Sequence, residues 1–259
     1  MTISFAADSL VTMLLATVRL SAFFLLAPPF SSKAVPVRVK AGLAVALALA
    51  VLPALRGHAT PALELLPLAG ATLYQAVVGA AMGFVVLAAF SVIQAAGELI
   101  DLASGFTLAS LYDPLSNVSS SLFGRIHQLL AITLLFALGG HLFLVRGLIA
   151  TFTVVPLHPM SLGDLSRLVT DHVGTFLGGA LQVAAPVLVV LFLSEVALGL
   201  VSRAVPTLNI FAISFPVKIV LAITFAGVAF ALLPGVVSTV MDQVGRDLTS
   251  VARMLGTSG

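Results

Sequence analysis

The chain has 259 residues, 60% of them hydrophobic and only 8% charged, with a formal net charge of +2 and a mean hydropathy of +1.19. A soluble core of this size cannot hide so many apolar residues behind so few charges, so the composition excludes a soluble globular domain and predicts an integral membrane protein. The scattered, small positive charge excludes nucleic-acid binding, and the absence of Cys removes disulfides, thiolate catalysis and Cys-type metal sites.

Six apolar runs follow one another along the chain. The opening MTISFAADSL lacks the basic stretch of a cleavable signal peptide, so the first run, about Leu10–Phe30, is expected to be retained. Arg19 interrupts it and Pro28-Pro29 ends it. A basic connection with Lys33, Arg38 and Lys40 around Pro36 leads to the second run, about Ala41–Leu55, which falls short of the ~20 apolar residues that a bilayer core needs. The third, about Leu66–Ala96, exceeds a simple span and carries Gly79-x-x-x-Gly83, a spacing that lets helices approach closely. The fourth, about Leu122–Val155, is also long and holds Arg125, His127, His141 and Arg146. The fifth, about Gly174–Val201, contains Pro186, and the turn after it carries Arg203 and Pro206. The sixth, about Ile210–Val237, has Pro216 and Lys218 near its start, and a short amphipathic tail, Met241–Leu255, closes the chain. With no lipidation motif and no low-complexity tail, no separate soluble domain is expected. The unequal run lengths and a loop-charge pattern that does not settle one topology fit helices packed against other protein rather than each spanning lipid alone.

Between the third and fourth runs lies a polar island, Gly105–Ser121, with sequence GFTLASLYDPLSNVSSS. Asp113-Pro114 marks a turn, and Asn117 with three serines competes for backbone hydrogen bonds. In a membrane protein such a stretch is either an exposed loop or an irregular element lining a water-filled path. Phe106, Leu108, Leu111 and Tyr112 alternate with small residues, which suits a hydrophobic plug in an aqueous pore as well as a plain surface loop.

Few residues offer chemistry. Glu98 and Asp101 are three apart and share a helix face, so they form either a cation or proton site or a solvated helix end. Arg19, inside a run, is expected to be paired or to snorkel. Glu195 is expected to pair with Lys218 or Arg203, or to face a partner subunit. His141 reads as a packing residue, because its helical neighbours Leu144 and Val145 form no ligand pair. There is no H-E-x-x-H and no G-x-S-x-G, so no catalytic residue, metal or cofactor is assigned and the chain is not expected to be an enzyme.

Over essentially its whole length the chain resembles the FliR family of flagellar export proteins, whose injectisome counterparts are the SctT-type proteins. The resemblance is carried by Ala27–Pro36, by GFTLASLYDP at 105–114, by RIHQLLAITLLFALGGHLFL at 125–144 and above all by the stretch 184–219, with Pro186, Arg203, Pro206, Asn209, Phe211 and Pro216 in the family's arrangement. It implies an all-α membrane protein of about six long helices, several bent or broken. It also implies a FliP-like part over residues 1–172, which includes the plug loop 105–121, and a FliQ-like hairpin with a C-terminal tail over 173–259. The implied partners are FliP-like and FliQ-like gate subunits, FlhB-like and FlhA-like export components, unfolded export substrates and membrane lipid. The implied location is the inner membrane at the flagellar basal body. The family's plug corresponds here to Gly105, Phe106, Leu108, Leu111, Tyr112, Asp113 and Pro114, beside a methionine-rich gasket from the FliP-like subunit. Leu108 and Leu111 stand where relatives often carry Phe. The rival readings are an injectisome gate subunit and a stand-alone transporter or channel with Glu98, Asp101 and Glu195 as ion sites.

Overall fold

The computed structural model describes residues 2–33, 35–55, 61, 64–107, 121–153, 157, 165–207 and 209–257. Among the described residues there are seven α-helices and no strand. They are α1 (Thr2–Leu26), α2 (Val37–Val51), α3 (Leu65–Ser104), α4 (Leu122–Ala137), α5 (Gly140–Ala150), α6 (Leu165–Ala204) and α7 (Ile210–Thr257). Short 3-10 turns, Leu52–Leu55 and Thr151–Thr153, continue α2 and α5. Five of the apolar helices are long enough to cross a membrane, and α4 with α5 adds a sixth crossing if the bent pair is one span. An all-α membrane architecture with about six long helices is therefore what the apolar runs build.

The fourth run is one of the broken helices that the family resemblance implies: α4 and α5 meet at a bend of 75°. Gly139 makes the bend with φ +71°, a left-handed conformation that residues with a Cβ rarely adopt. The amphipathic tail, in turn, is not a separate element. No Gly or Pro falls between Val236 and Val244, so α7 runs unbroken from Ile210 to Thr257. At ~1.5 Å per residue its 48 residues reach ~72 Å, more than twice the ~30 Å of a hydrocarbon core.

The chain forms two compact units. The first comprises Met1–Ala89, Leu138–His172 and Met241–Gly259, the second Phe90–Ala137 and Val173–Val240. In the first, α1 packs on α2, and its buried Leu15, Leu20, Phe23 and Phe24 lie on one stripe. On α3, Gly79 and Gly83 are the contact with α1. A methyl group added at Gly79 would collide with the Arg19 carbonyl, and one at Gly83 would lie 3.0 Å from the carbonyl of Phe23. The Gly-x-x-x-Gly spacing is thus spent on packing inside this chain. The helical continuation of α7 supplies buried Val244 and Leu248, the latter against Gly147 of α5.

In the second unit, Ala96 and Ile100 of α3, Phe123 of α4, Ala184, Val187 and Leu191 of α6, and Ala222, Ala226 and Ala229 of α7 form one core. Their spacings along α6 and α7 are three and four residues, one face of each helix. The remaining faces of these two helices stay apolar and exposed, with Phe192, Leu193 and Leu200 on α6 and Val220 and Ile223 on α7. Burial of such surface takes lipid or another protein, and scattered single residues would need neither.

Candidate functional site

The polar island has a built root in the second unit. Helix α3 ends at Ser104, and Gly105, with φ +87°, turns the chain. No other residue fits there, because a Cβ at 105 would lie 2.7 Å from the ring of Phe215 on α7. Phe106 then packs edge-on against Phe123 of α4, with ring centres 5.7 Å apart. On the far side, Ser121 precedes α4 and its hydroxyl accepts the Gly124 N–H at 2.8 Å, an N-cap contact.

Asp101 joins the two sides. It is 1% exposed. Its Oδ2 accepts from the Ser121 hydroxyl, from Phe123 N–H at 2.9 Å and from Gly124 N–H at 3.3 Å. These are orphan donors of the first turn of α4, where a carboxylate is favoured by both hydrogen bonding and the helix dipole. Below it, His127 is fully buried, donates from Nδ1 to the Phe123 carbonyl at 2.8 Å, and lies 5.3 Å from the ring of Phe230.

The described residues hold two further polar constellations. In the first unit Arg19 is fully buried; its Nε donates to Gln75 Oε1 at 2.6 Å and an Nη to the Thr151 carbonyl at 3.4 Å. Its guanidinium lies 4.3 Å from the centre of the Phe152 ring, a cation–π contact. In the second unit Lys218 Nζ of α7 donates to Glu195 Oε2 of α6 at 2.8 Å, with the lysine side chain 12% and the glutamate 66% exposed. No group of three His, Cys, Asp or Glu side chains among the described residues has metal-binding geometry.

The family model for bacterial export proteins, family 1, matches residues 10–244, which include all three constellations. The chain belongs to this family. The bacterial export protein is 34% identical to flagellar biosynthetic protein FliR of Escherichia coli (strain K12) over 218 residues, covering 83% of this chain and 82% of that one. It is 28% identical to FliR of Bacillus subtilis (strain 168), covering 95% of this chain and 96% of the relative. To Yop proteins translocation protein T of Yersinia pestis it is 29% identical, over 82% of this chain and 83% of the relative.

The residues singled out in the sequence take the following places in this export protein. Glu98 and Asp101 do not act as a pair: Glu98 is exposed and accepts from Gln94 Nε2 at 2.9 Å, whereas Asp101 is buried in the α4 cap, so the solvated helix end is not what Asp101 forms. Of the plug residues, Gly105 and Phe106 lie in the root, and Leu108, Leu111, Tyr112, Asp113 and Pro114 lie outside the described residues. Arg125 is exposed on α4 and His141 half-buried at the start of α5. Pro28 is half-buried after α1, and exposed Pro36 opens α2. Pro186 and Pro216 lie inside α6 and α7. Arg203 and Pro206 are exposed at the α6–α7 turn, where Asn209 Oδ1 caps α7 by accepting Ala212 N–H at 3.3 Å. Phe211 sits in the first turn of α7.

Gln75, Ser121 and Lys40 were not legible as partners. Lys40 is buried and ties down the α1–α2 connection by donating to the Ser32 carbonyl at 3.2 Å. A usable signal existed for Gln75 alone: an amide side chain inside an apolar run, in a chain with an arginine inside another, is the natural acceptor for it.

Proposed function

We propose that this chain is a non-enzymatic subunit of a flagellar type III protein export gate in the bacterial inner membrane, at the basal body. With FliP-like and FliQ-like chains, and beside FlhB-like and FlhA-like components, it forms the conduit through which unfolded subunits pass. The division into a FliP-like part up to about residue 172 and a FliQ-like hairpin beyond it belongs to the same reading. The observation that carries it is the family match over residues 10–244. The flagellar form is favoured over the injectisome form by 34% identity to a FliR, against 29% to the Yop translocation protein at similar coverage. Loss of swimming, with contact-dependent secretion intact, on disruption of the gene is the expected result; the reverse pattern would transfer the chain to the injectisome.

The conduit is held closed by the 105–121 segment. Deleting Gly105–Pro114 should raise ion leakage through the assembled gate in planar bilayers, and unchanged conductance would remove the plug from this account.

The stand-alone transporter reading loses ground because its three carboxylates are committed separately. Glu98 is bound by Gln94, Asp101 by the α4 cap and Glu195 by Lys218. The exposed carboxylate of Glu195 lies among exposed apolar residues, a setting costly in lipid and suited to a protein partner. Glu195→Lys should therefore reduce co-purification of the FliP-like and FliQ-like chains. The charge-swapped double variant Glu195→Lys, Lys218→Glu separates two causes: recovery means the intrachain pair alone matters, and continued loss points to a partner group facing Glu195.

A further inference from the structure

Helix α2 packs on α1 through one narrow stripe, the buried Lys40, Ala44, Ala48 and Val51. The rest of its circumference, with Val37, Val39, Leu43, Val45 and Leu49, is exposed. With the 3-10 turn that continues it, α2 makes an apolar span of 19 residues, Val37–Leu55. At ~1.5 Å per residue that is close to the ~30 Å of a hydrocarbon core. The outward faces of α2 and α6 differ in charge. That of α6 carries the exposed carboxylate of Glu195, whereas no Asp or Glu occurs between Asp8 and Glu64. An apolar face without acids suits lipid, and the charges of this one stand at a single end.

Those charges are cationic. Lys33 and Arg38 are exposed on either side of Pro36, and neither has an ion-pair partner among the described residues. Lys40 has a different task. Buried, it donates from Nζ to the Ser32 carbonyl at 3.2 Å, and the Val35 N–H donates to the same oxygen at 3.2 Å. This pins the corner that bears Lys33 and Arg38. Arg38 does not serve the helix, because a cation in the first turn opposes the helix dipole and no acidic residue there offsets it. A long cationic side chain at the rim of an apolar face reaches the headgroup layer by snorkelling, and beside an anionic leaflet each is favoured about fivefold.

We propose that the α1–α2 corner binds an anionic glycerophospholipid: its phosphodiester rests on Lys33 and Arg38, and its acyl chains lie on the exposed face of α2. One such molecule brings acceptor oxygens and apolar tails together, in the order in which the cations and the apolar face follow each other along the chain. A partner helix would need acids of its own at the matching depth. The site is independent of which export system the chain serves.

The chain has no Trp, so Leu43→Trp places a single indole on this face, and Val39→Trp repeats the measurement one turn nearer the cations. The full chain is reconstituted in phosphatidylcholine nanodiscs in which a fixed fraction of the lipid carries brominated acyl chains, as either phosphatidylcholine or phosphatidylglycerol. Brominated phosphatidylglycerol is expected to quench the indole more strongly, with an apparent preference of about fivefold per cation. Lys33→Gln with Arg38→Gln should bring the two lipids to equality and leave the unfolding midpoint at the parent value, both side chains being exposed. Equal quenching by the two lipids in the parent, or a preference that survives the double substitution, overturns the headgroup site. Absence of quenching by either lipid overturns it as well, since the face then does not meet acyl chains. A preference abolished by inorganic phosphate, at matched ionic strength, assigns the cations to the free anion and not to lipid. The same measurement in the gate co-purified with its partner chains, with the gate lacking the added indole as baseline, tests the remaining occupant. Retained preference there supports the lipid site, and loss of quenching means that a partner helix covers α2 and the proposal fails.

Discussion

Gly79→Leu should prevent the first unit from forming. Any side chain at 79 drives its Cβ into the Arg19 carbonyl, and the next turn is nearly as close, with Gly83 against Phe23 and Leu26. The colliding atom is backbone within a 25-residue helix, so no rotamer change relieves it, and α1 must separate from α3. Overpacking in a well-filled core costs about 1–3 kcal/mol where side chains can shift, and here the cost should reach or exceed the upper end. Controls lie in the same chain. Gly42 on α2 and Gly70 on α3 have open space around an added Cβ, so Gly42→Ala and Gly70→Ala should hold or raise the thermal unfolding midpoint through helix propensity, by up to about 1 kcal/mol each. A Gly79→Leu protein that unfolds at the same temperature as these controls would contradict the close approach.

Arg19→Ala should be nearly as damaging, for a different reason. The guanidinium ties α1 to α3 through Gln75 and to the turn after α5 through the Thr151 carbonyl, with Phe152 beneath it. Two charge-assisted bonds at about 1.5–3 kcal/mol each put the loss at about 3–6 kcal/mol, and Gln75 Oε1 loses this donor. Arg19→Lys should not restore it, because an ammonium offers a point charge where a planar fork serves two acceptors and stacks on a ring. Replacing both members with apolar residues, Arg19→Met with Gln75→Leu, should recover much of the stability, since it removes the amide that faced the guanidinium along with the charge. Unfolding midpoints of the single and double variants decide the point: a double variant no better than Arg19→Met alone would mean the amide is not the source of the loss. Because the Arg19 backbone is also what Gly79 touches, the two substitutions should not be additive.

The architecture was largely legible because hydropathy alone locates apolar helices. Each of the six runs overlaps a helix or helix pair. What hydropathy left open lay where it carries no signal. Gly139-Gly140 stand in an apolar run and hydropathy passes through them, but the backbone turns there because Gly139 adopts a positive φ. The tail after Val237 changes from apolar to amphipathic without any helix-breaking residue, so composition marked a boundary that backbone hydrogen bonding does not recognise. The polar sites were visible as residues but not as partnerships. That Arg19 would be costly followed from its setting inside an apolar run. That Asp101 reaches across to Gly124 and Arg19 to Thr151, 132 residues later, depends on helix crossings that no local pattern encodes. Glu195 and Lys218 were easier, because a short turn between two adjacent helices brings their residues to matching depths.

That bridge has a bearing on how the protein is made. The glutamate leaves the ribosome 23 residues ahead of its lysine, so α6 reaches the insertion machinery carrying an uncompensated anion amid Phe192, Leu193 and Val196. Release into lipid before α7 arrives would be unfavourable, and release of the two helices as a neutralised couple avoids it. The expected consequence is that the hairpin integrates as one unit, its first limb held until the second arrives.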